Sequence, residues 1–191
     1  SMTRRPVCVY DANVLYPAQL RDFLMQLALA EVVRAHWTEH IHHEWMRNVD
    51  ADYPDITWAD LRRIRHHMDR ALPAASVDGY KDRMGDLSLP DESDRHVLAA
   101  AIHVEASHII TFNTRDFPAP ALEPMGIVAT SPDPFIAGLY DQMPEAIIEV
   151  AQAHRASLSR PPKTPDEYLR LLQSSGLDTT AGHLQSDTGQ I

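Results

Sequence analysis

The run Val7-Cys8-Val9-Tyr10 is short, apolar and half β-branched, and the polar stretch Asp11-Ala12-Asn13 follows it at once. Such a run is a buried strand closed by a polar turn. Pro17 opens the next element, a helix with Leu20, Phe23, Leu24, Leu27 and Ala28 on one face. A second short strand is expected over residues 32–37, with Thr38 capping a helix that carries His42, His43, Glu44 and Trp45. Pro54 breaks the chain, and a polar helix runs over residues 58–72 and stops before Pro73. Leu89-Pro90-Asp91-Glu92-Ser93-Asp94 then leads into Val97-Leu98-Ala99-Ala100-Ala101-Ile102, a helix apolar on all sides and therefore buried. Ile109-Ile110-Thr111-Phe112 reads as a strand, Asn113-Thr114-Arg115-Asp116-Phe117-Pro118 as its turn, and Ile127-Val128-Ala129 as a last strand.

Strands alternating with helices predict an α/β fold: βαβ crossovers and a central, mostly parallel sheet flanked by helices. Beyond residue 131 only helices are expected, over 132–142, 144–158 and 165–174, with Gly176 as a stop and a weak helix after it. The chain therefore divides into an α/β unit over residues 5–131, a helical C-terminal extension over 132–185 and a flexible tail over 186–191. Ser1-Met2 reads as a tag-cleavage remnant and is set aside.

With 191 residues, 44% hydrophobic and 23% charged, the chain has the composition of a globular domain, not of a disordered one. No apolar run reaches the roughly 18–20 residues that span a bilayer, and no signal-peptide core is present, so no membrane partner is expected. The single cysteine, Cys8, can make no internal disulfide, and the expected compartment is the cytosol. Asp and Glu number 27 against 17 Lys and Arg, a formal charge of -10. Such a chain repels a polyanion at long range. The balance argues against a sequence-independent DNA coat protein but not against an enzyme whose carboxylates hold divalent cations.

The placement of the acids is the informative pattern. Asp11 follows the first strand, and Asn113 and Asp116 follow the Ile109–Phe112 strand, at the carboxyl ends where ligands bind in parallel sheets. Asp94 sits on the first turn of the buried helix and Glu44 within another. If they converge, three or four carboxylates share one cleft, which calls for hard cations such as Mg²⁺ or Mn²⁺. Each acid also has a plainer role. Asp11 and Asp116 could be turn formers, Asp91 and Asp94 stabilise a helix start, and Glu44 could pair with Arg47 at i,i+3.

His40, His42, His43 and Glu44 crowd one helix, but neither His-Glu-x-x-His nor paired Cys/His spacing occurs. A zinc site is not expected from that pattern, and the histidines are read as partly exposed helix residues. Arg62, Arg63, Arg65, His66, His67 and Arg70 form a basic stretch. It is either a solvated face or a phosphate-contacting one, the latter making Arg62, Arg63, Arg65 and Arg70 the expected phosphate contacts.

Taken in order, these segments resemble the PIN-domain nucleases. Val7-Cys8-Val9-Tyr10-Asp11-Ala12-Asn13-Val14-Leu15 resembles their opening strand and Asp-x-Asn turn. His43-Glu44-Trp45-Met46-Arg47-Asn48 resembles the helical glutamate segment, and Asp91-Glu92-Ser93-Asp94-Arg95-His96-Val97-Leu98-Ala99-Ala100-Ala101 the third acid before its alanine-rich helix. Thr111-Phe112-Asn113-Thr114-Arg115-Asp116-Phe117 resembles the last strand and turn, with Asn113 where many members carry aspartate and Asp116 nearby as the available acid. The resemblance covers residues 5–130, and the helices beyond resemble the extension of one bacterial VapC-like branch.

It implies a three-layer fold and a ribonuclease dependent on Mg²⁺ or Mn²⁺, the toxin of a toxin–antitoxin pair. A small antitoxin that covers the active site, and homodimers, are implied partners. Asp11, Glu44, Asp94 and Asp116 become the metal and catalytic residues, supported by Asn13, Asp91 and Asn113. Two rival readings remain. One is a PIN-like module that binds RNA or protein without cleaving. The other is an aspartyl-phosphate phosphatase, which usually carries a second aspartate two residues after the first, where this chain has Asn13.

Overall fold

The computed structural model describes residues 4–191, so Ser1-Met2 lie outside the described residues. In chain order the first elements are β1 (Val7–Tyr10), α1 (Ala12–Leu15), α2 (Ala18–Leu29), β2 (Arg34–Thr38), α3 (Glu39–Asp52) and α4 (Trp58–Ala71). Then come β3 (Ser76–Val77), α5 (Arg95–His103), β4 (His108–Ile110), α6 (Ala119–Leu122) and β5 (Val128–Thr130). Four helices complete the chain: α7 (Pro132–Gln142), α8 (Pro144–Ser157), α9 (Pro165–Ser174) and α10 (Asp178–Leu184).

Cys8, Val9 and Tyr10 are each fully buried, so β1 is covered on both faces, as a continuous apolar run requires. It is the middle strand of a five-stranded sheet of order β3-β2-β1-β4-β5, in which every pairing is parallel. Val9 stands opposite His36 on one side and Ile109 on the other. The chain builds outward from β1 to β3, then crosses back to add β4 and β5. The carboxyl ends of β1 and β4 therefore flank the point where the winding reverses, the usual ligand crevice of such sheets.

Helices flank this sheet. α2 packs on β2 and α8, and α5 packs on β1 and β4. The α/β class with a parallel sheet and C-terminal helices is the one the alternation predicted. Several boundaries differ. β2 starts at Arg34, not at residue 32, because Glu31 adopts a left-handed φ of 60° and Val32 N bonds back to Leu27 O at 2.9 Å, closing α2. β3 was not expected: its two residues carry no periodicity, and Ser76 and Val77 are extended because they pair with Trp37 and Thr38.

The last residues do not hang free. Ile191 is buried, and Arg155 donates to its oxygen at 2.6 Å. Ile191 is the apolar residue that closes an otherwise polar tail, and burial of that side chain seats the segment.

Candidate functional site

β1 ends at Tyr10, and Asp11 caps the single turn of α1, with Ala12 N donating to Asp11 Oδ1 at 2.8 Å. Its backbone is tied to the neighbouring strand end, Asp11 N donating to Ile110 O at 3.0 Å. The other carboxylate oxygen, Oδ2, accepts from Thr111 Oγ1 at 2.8 Å and from Asn13 Nδ2 at 3.3 Å. Asn13 also donates to Thr111 Oγ1 (3.0 Å) and accepts from Phe112 N (3.0 Å), which stitches the turn after β1 to the turn after β4. Asp11 is buried, and burial raises its pKa, against the pull of the Thr111 hydroxyl and the Ala12 amide. Its turn role and its place in the crevice are thus one arrangement.

Asp91 caps the turn Glu92–Asp94: Ser93 N and Ser93 Oγ donate to Asp91 Oδ1 at 2.9 and 2.6 Å. Asp94 stands directly before α5, yet its side chain makes no capping bond. Asp91 therefore makes a capping bond at this helix start and Asp94 does not. Desolvation, followed by the charges of Asp11, Asp91, Asp116 and Glu44, raises the Asp94 carboxyl to about 6. Asp94 therefore feels the other three expected acids, Asp11, Asp116 and Glu44, and Asp11 in turn feels Glu44. Asp116, half-buried, ends the turn Thr114–Asp116, whose backbone closes through Asp116 N to Asn113 O at 3.0 Å. Asn113 contributes its backbone, donating to Thr111 Oγ1 at 3.1 Å; its side chain makes no hydrogen bond among the described residues.

Glu44 projects from α3, whose start is set by Thr38 Oγ1 accepting from Ile41 N at 3.0 Å. Ile41, Trp45, Met46 and Val49 bury the other side of that helix. Glu44 does not pair with Arg47. Its Oε1 lies 2.7 Å from His96 Nε2 on α5 and 4.0 Å from His40 Nε2. Arg47 and Lys81 instead act on His40, and with desolvation and His96 they help to lower its pKa.

Two expectations about the basic and histidine residues need correction. His42 is not partly exposed: it is 1% exposed, its Nδ1 accepts from Trp45 Nε1 at 3.0 Å, and its Nε2 lies 3.0 Å from Asp69 Oδ1. Nor do the four arginines of α4 stand alike. Arg63 pairs with Asp60 at 3.0 Å and Arg65 with Asp69 at 3.7 Å, whereas Arg62 and Arg70 are exposed and make no ion pair among the described residues.

Thr111 and His96 are parts of the site that sequence reasoning missed. A threonine closing a β-branched run looks like more strand, and a histidine opening an apolar helix looks like core. Asp11 and Glu44, one partner for each, were the available signals.

The donor set fits a divalent cation. Asp94 is driven toward its neutral form by desolvation and by the surrounding carboxylates, and Glu44 Oε1 is buried without a hydrogen-bond partner. A cation relieves both costs.

The VapC50 C-terminal domain model matches residues 132–186. A protein of Mycobacterium tuberculosis named "Putative ribonuclease VapC50" is 37% identical over 101 residues, 53% of this chain and 59% of that protein. The match thus spans less than two thirds of the relative's length. No solved structure matches the chain. The PIN domain model matches residues 7–115, more than half of the chain, from the buried first strand to the turn that Asp116 closes, and the chain belongs to the PIN domain family.

Proposed function

We propose that this chain is a metal-dependent endoribonuclease that hydrolyses RNA phosphodiester bonds, the toxin of a toxin–antitoxin pair. The observation that carries the reading is the Asp94 carboxyl, raised to about 6 by desolvation and then by the charges of Asp11, Asp91, Asp116 and Glu44. An anionic cleft of that density at the switch point of a parallel sheet is costly unless it serves to gather cations. Asp11 and Asp94 would hold the principal Mg²⁺ or Mn²⁺, with Glu44 and Asp116 completing its surroundings. The bound ion supplies Lewis acidity, making water a better nucleophile and neutralising phosphate charge.

The chain's own part is positioning. Thr111, Asn13 and the Ala12 amide fix both oxygens of Asp11, so little reorganisation is needed when a cation arrives. Asp91 holds the turn that presents Asp94, and the Asn113 amide steadies Thr111. Phe112, 45% exposed between Thr111 and Asn113, offers an aromatic face on which an unpaired base can stack. Arg62 and Arg70, with Arg47 and Lys81 near His40, supply local positive charge against the net -10. Arg63 and Arg65 are already paired and contribute less. A small antitoxin over the cleft, a homodimer and a cytosolic setting complete the proposal. No described helix is long and apolar enough to cross a membrane.

The test is cleavage of mixed cellular RNA by the purified protein with Mn²⁺, Mg²⁺ or EDTA, beside Asp11→Ala and Asp94→Asn. Discrete metal-dependent fragments from the wild type, absent from both variants, are expected. Equal cleavage by all three proteins would reveal a contaminant. No cleavage, with the ions still raising thermal stability, would favour a module that binds without cutting.

A further inference from the structure

His40 and Glu44 lie four residues apart on α3, hence on one face, and His96 meets them from the first turn of α5. The His96 side chain is 1% exposed, and neither of its ring nitrogens has a hydrogen-bond partner. Its Nε2 approaches Glu44 Oε1 to 2.7 Å without the alignment of an N–H···O bond, and that oxygen is unpartnered as well. Three buried polar atoms left without hydrogen bonds in one spot cost several times the usual penalty for one, and a bound ion is a standard reason for such a group.

One ligand atom from each of His40, Glu44 and His96 lies within 4.8 Å of the other two. The Oε1 distances of 2.7 and 4.0 Å bracket the separation of about 3.4 Å between two atoms bound tetrahedrally at about 2.1 Å. The two imidazoles are stacked, centroids 3.6 Å apart and planes 12° from parallel. Sharing an ion requires them to open into a V. His40, with 48% of its side chain exposed, can turn while His96 stays fixed in the core.

We infer that His40, Glu44 and His96 form a second divalent site, selective for Zn²⁺ and other late first-row ions over Mg²⁺. Two imidazoles and one carboxylate form a nitrogen-rich set, unlike the oxygen-only Asp11, Asp94 and Asp116. The inference rests on the proposed nuclease reading at one point only, because both sites draw on Glu44. A late ion held by the histidines takes Glu44 away from the acids and so restrains Mg²⁺-dependent turnover.

The experiment uses the metal-free full chain and Co²⁺, which reports its ligands through visible absorption. Wild type is expected to bind one Co²⁺ with the intense band of a four-coordinate site, displaced by Zn²⁺ and not by a large excess of Mg²⁺. His40→Ala, a change at an exposed position, should weaken Co²⁺ binding at least about tenfold, with the far-ultraviolet circular dichroism and Tm unchanged. His96→Gln should do the same, and Asp94→Asn should keep the band. A wild-type spectrum displaced by Mg²⁺, or a band retained in His40→Ala and lost in Asp94→Asn, would overturn the site. This readout involves no RNA. Failure to cleave beside a retained, histidine-dependent band would reject the nuclease reading alone.

Discussion

Thr111 has three hydrogen bonds to lose. Its hydroxyl donates to Asp11 Oδ2 and accepts from Asn13 Nδ2 and Asn113 N. Thr111→Val keeps the shape and removes all three, leaving Asp11 with weaker support, the Asn113 amide unpaired and Asn13 Nδ2 with its bond to Asp11 alone. Urea unfolding should show a loss of about 1–3 kcal/mol, and Thr111→Ser should recover most of it. A valine variant as stable as wild type would mean that the network does not hold the turn. Asp94 should behave in the opposite way. Its carboxyl ionises near its ordinary value of 3.8 when unfolded and at about 6 in the fold. Between those values the folded state holds the proton that the unfolded state has released, so stability falls as pH rises through that window and stays lowered above it. In EDTA, Asp94→Asn should therefore melt above wild type at pH 8, with the gain shrinking toward pH 4. A Tm gain in the variant that did not depend on pH would contradict the shared-cleft account.

The sequence located elements better than it located partners. β1 was legible because burial on both faces leaves an unbroken apolar run, and α9 because Gly176 marks its stop; the capping box of Thr164 and Glu167 at its start went unread. β3 was not legible, since tertiary pairing alone makes Ser76 and Val77 a strand. Asp94 could not be distinguished from a helix cap until its side chain was seen to make no capping bond. The same limit applies where the C-terminal helices dock. His154 of α8 is fully buried, 2.8 Å from the Tyr168 hydroxyl of α9 and 3.2 Å from Gln19 Oε1 of α2. Nothing in the sequence pairs these three. Burial lowers the His154 pKa from 6.5 to about 4, so the folded state keeps it neutral where the unfolded chain takes up a proton. Stability present above pH 6.5 is thus lost as pH falls toward 4, on the order of 3 kcal/mol. His36, His42 and His108 are lowered too and add losses of the same sign. Stability of His154→Gln against pH should be measurably flatter than wild type over this window. Parallel curves would show that the α8 junction tolerates the charge.

For the whole molecule, the difficulty is electrostatic: a chain of net charge -10 must hold a polyanion. Carboxylates that gather cations answer this at the cleft but not along the rest of an RNA strand, where cationic side chains must release counterions. The sequence offered Arg62, Arg63, Arg65 and Arg70 as equals, and the ion pairs divide them. Asp60 neutralises Arg63 locally. Arg65 is bound to Asp69, which also accepts from Trp37 Nε1 at 2.8 Å and Ser76 Oγ at 3.2 Å and so ties α4 to the sheet edge. Phosphate contact by Arg65 would compete with that anchor. Arg62 and Arg70 have no such competitor among the described residues. If α4 faces RNA, the double variant Arg62→Gln, Arg70→Gln should lower the slope of log affinity against log salt by about 1.4, two contacts at about 0.7 each on a single strand. The measurement is fluorescence anisotropy with labelled single-stranded RNA and protein carrying Asp94→Asn, so that the strand survives. Arg65→Gln should change that slope less, because Asp69 already holds its guanidinium. A salt slope equal to that of the parent in the double variant would make α4 a solvated face and leave RNA contact to the charges near His40, Arg47 and Lys81.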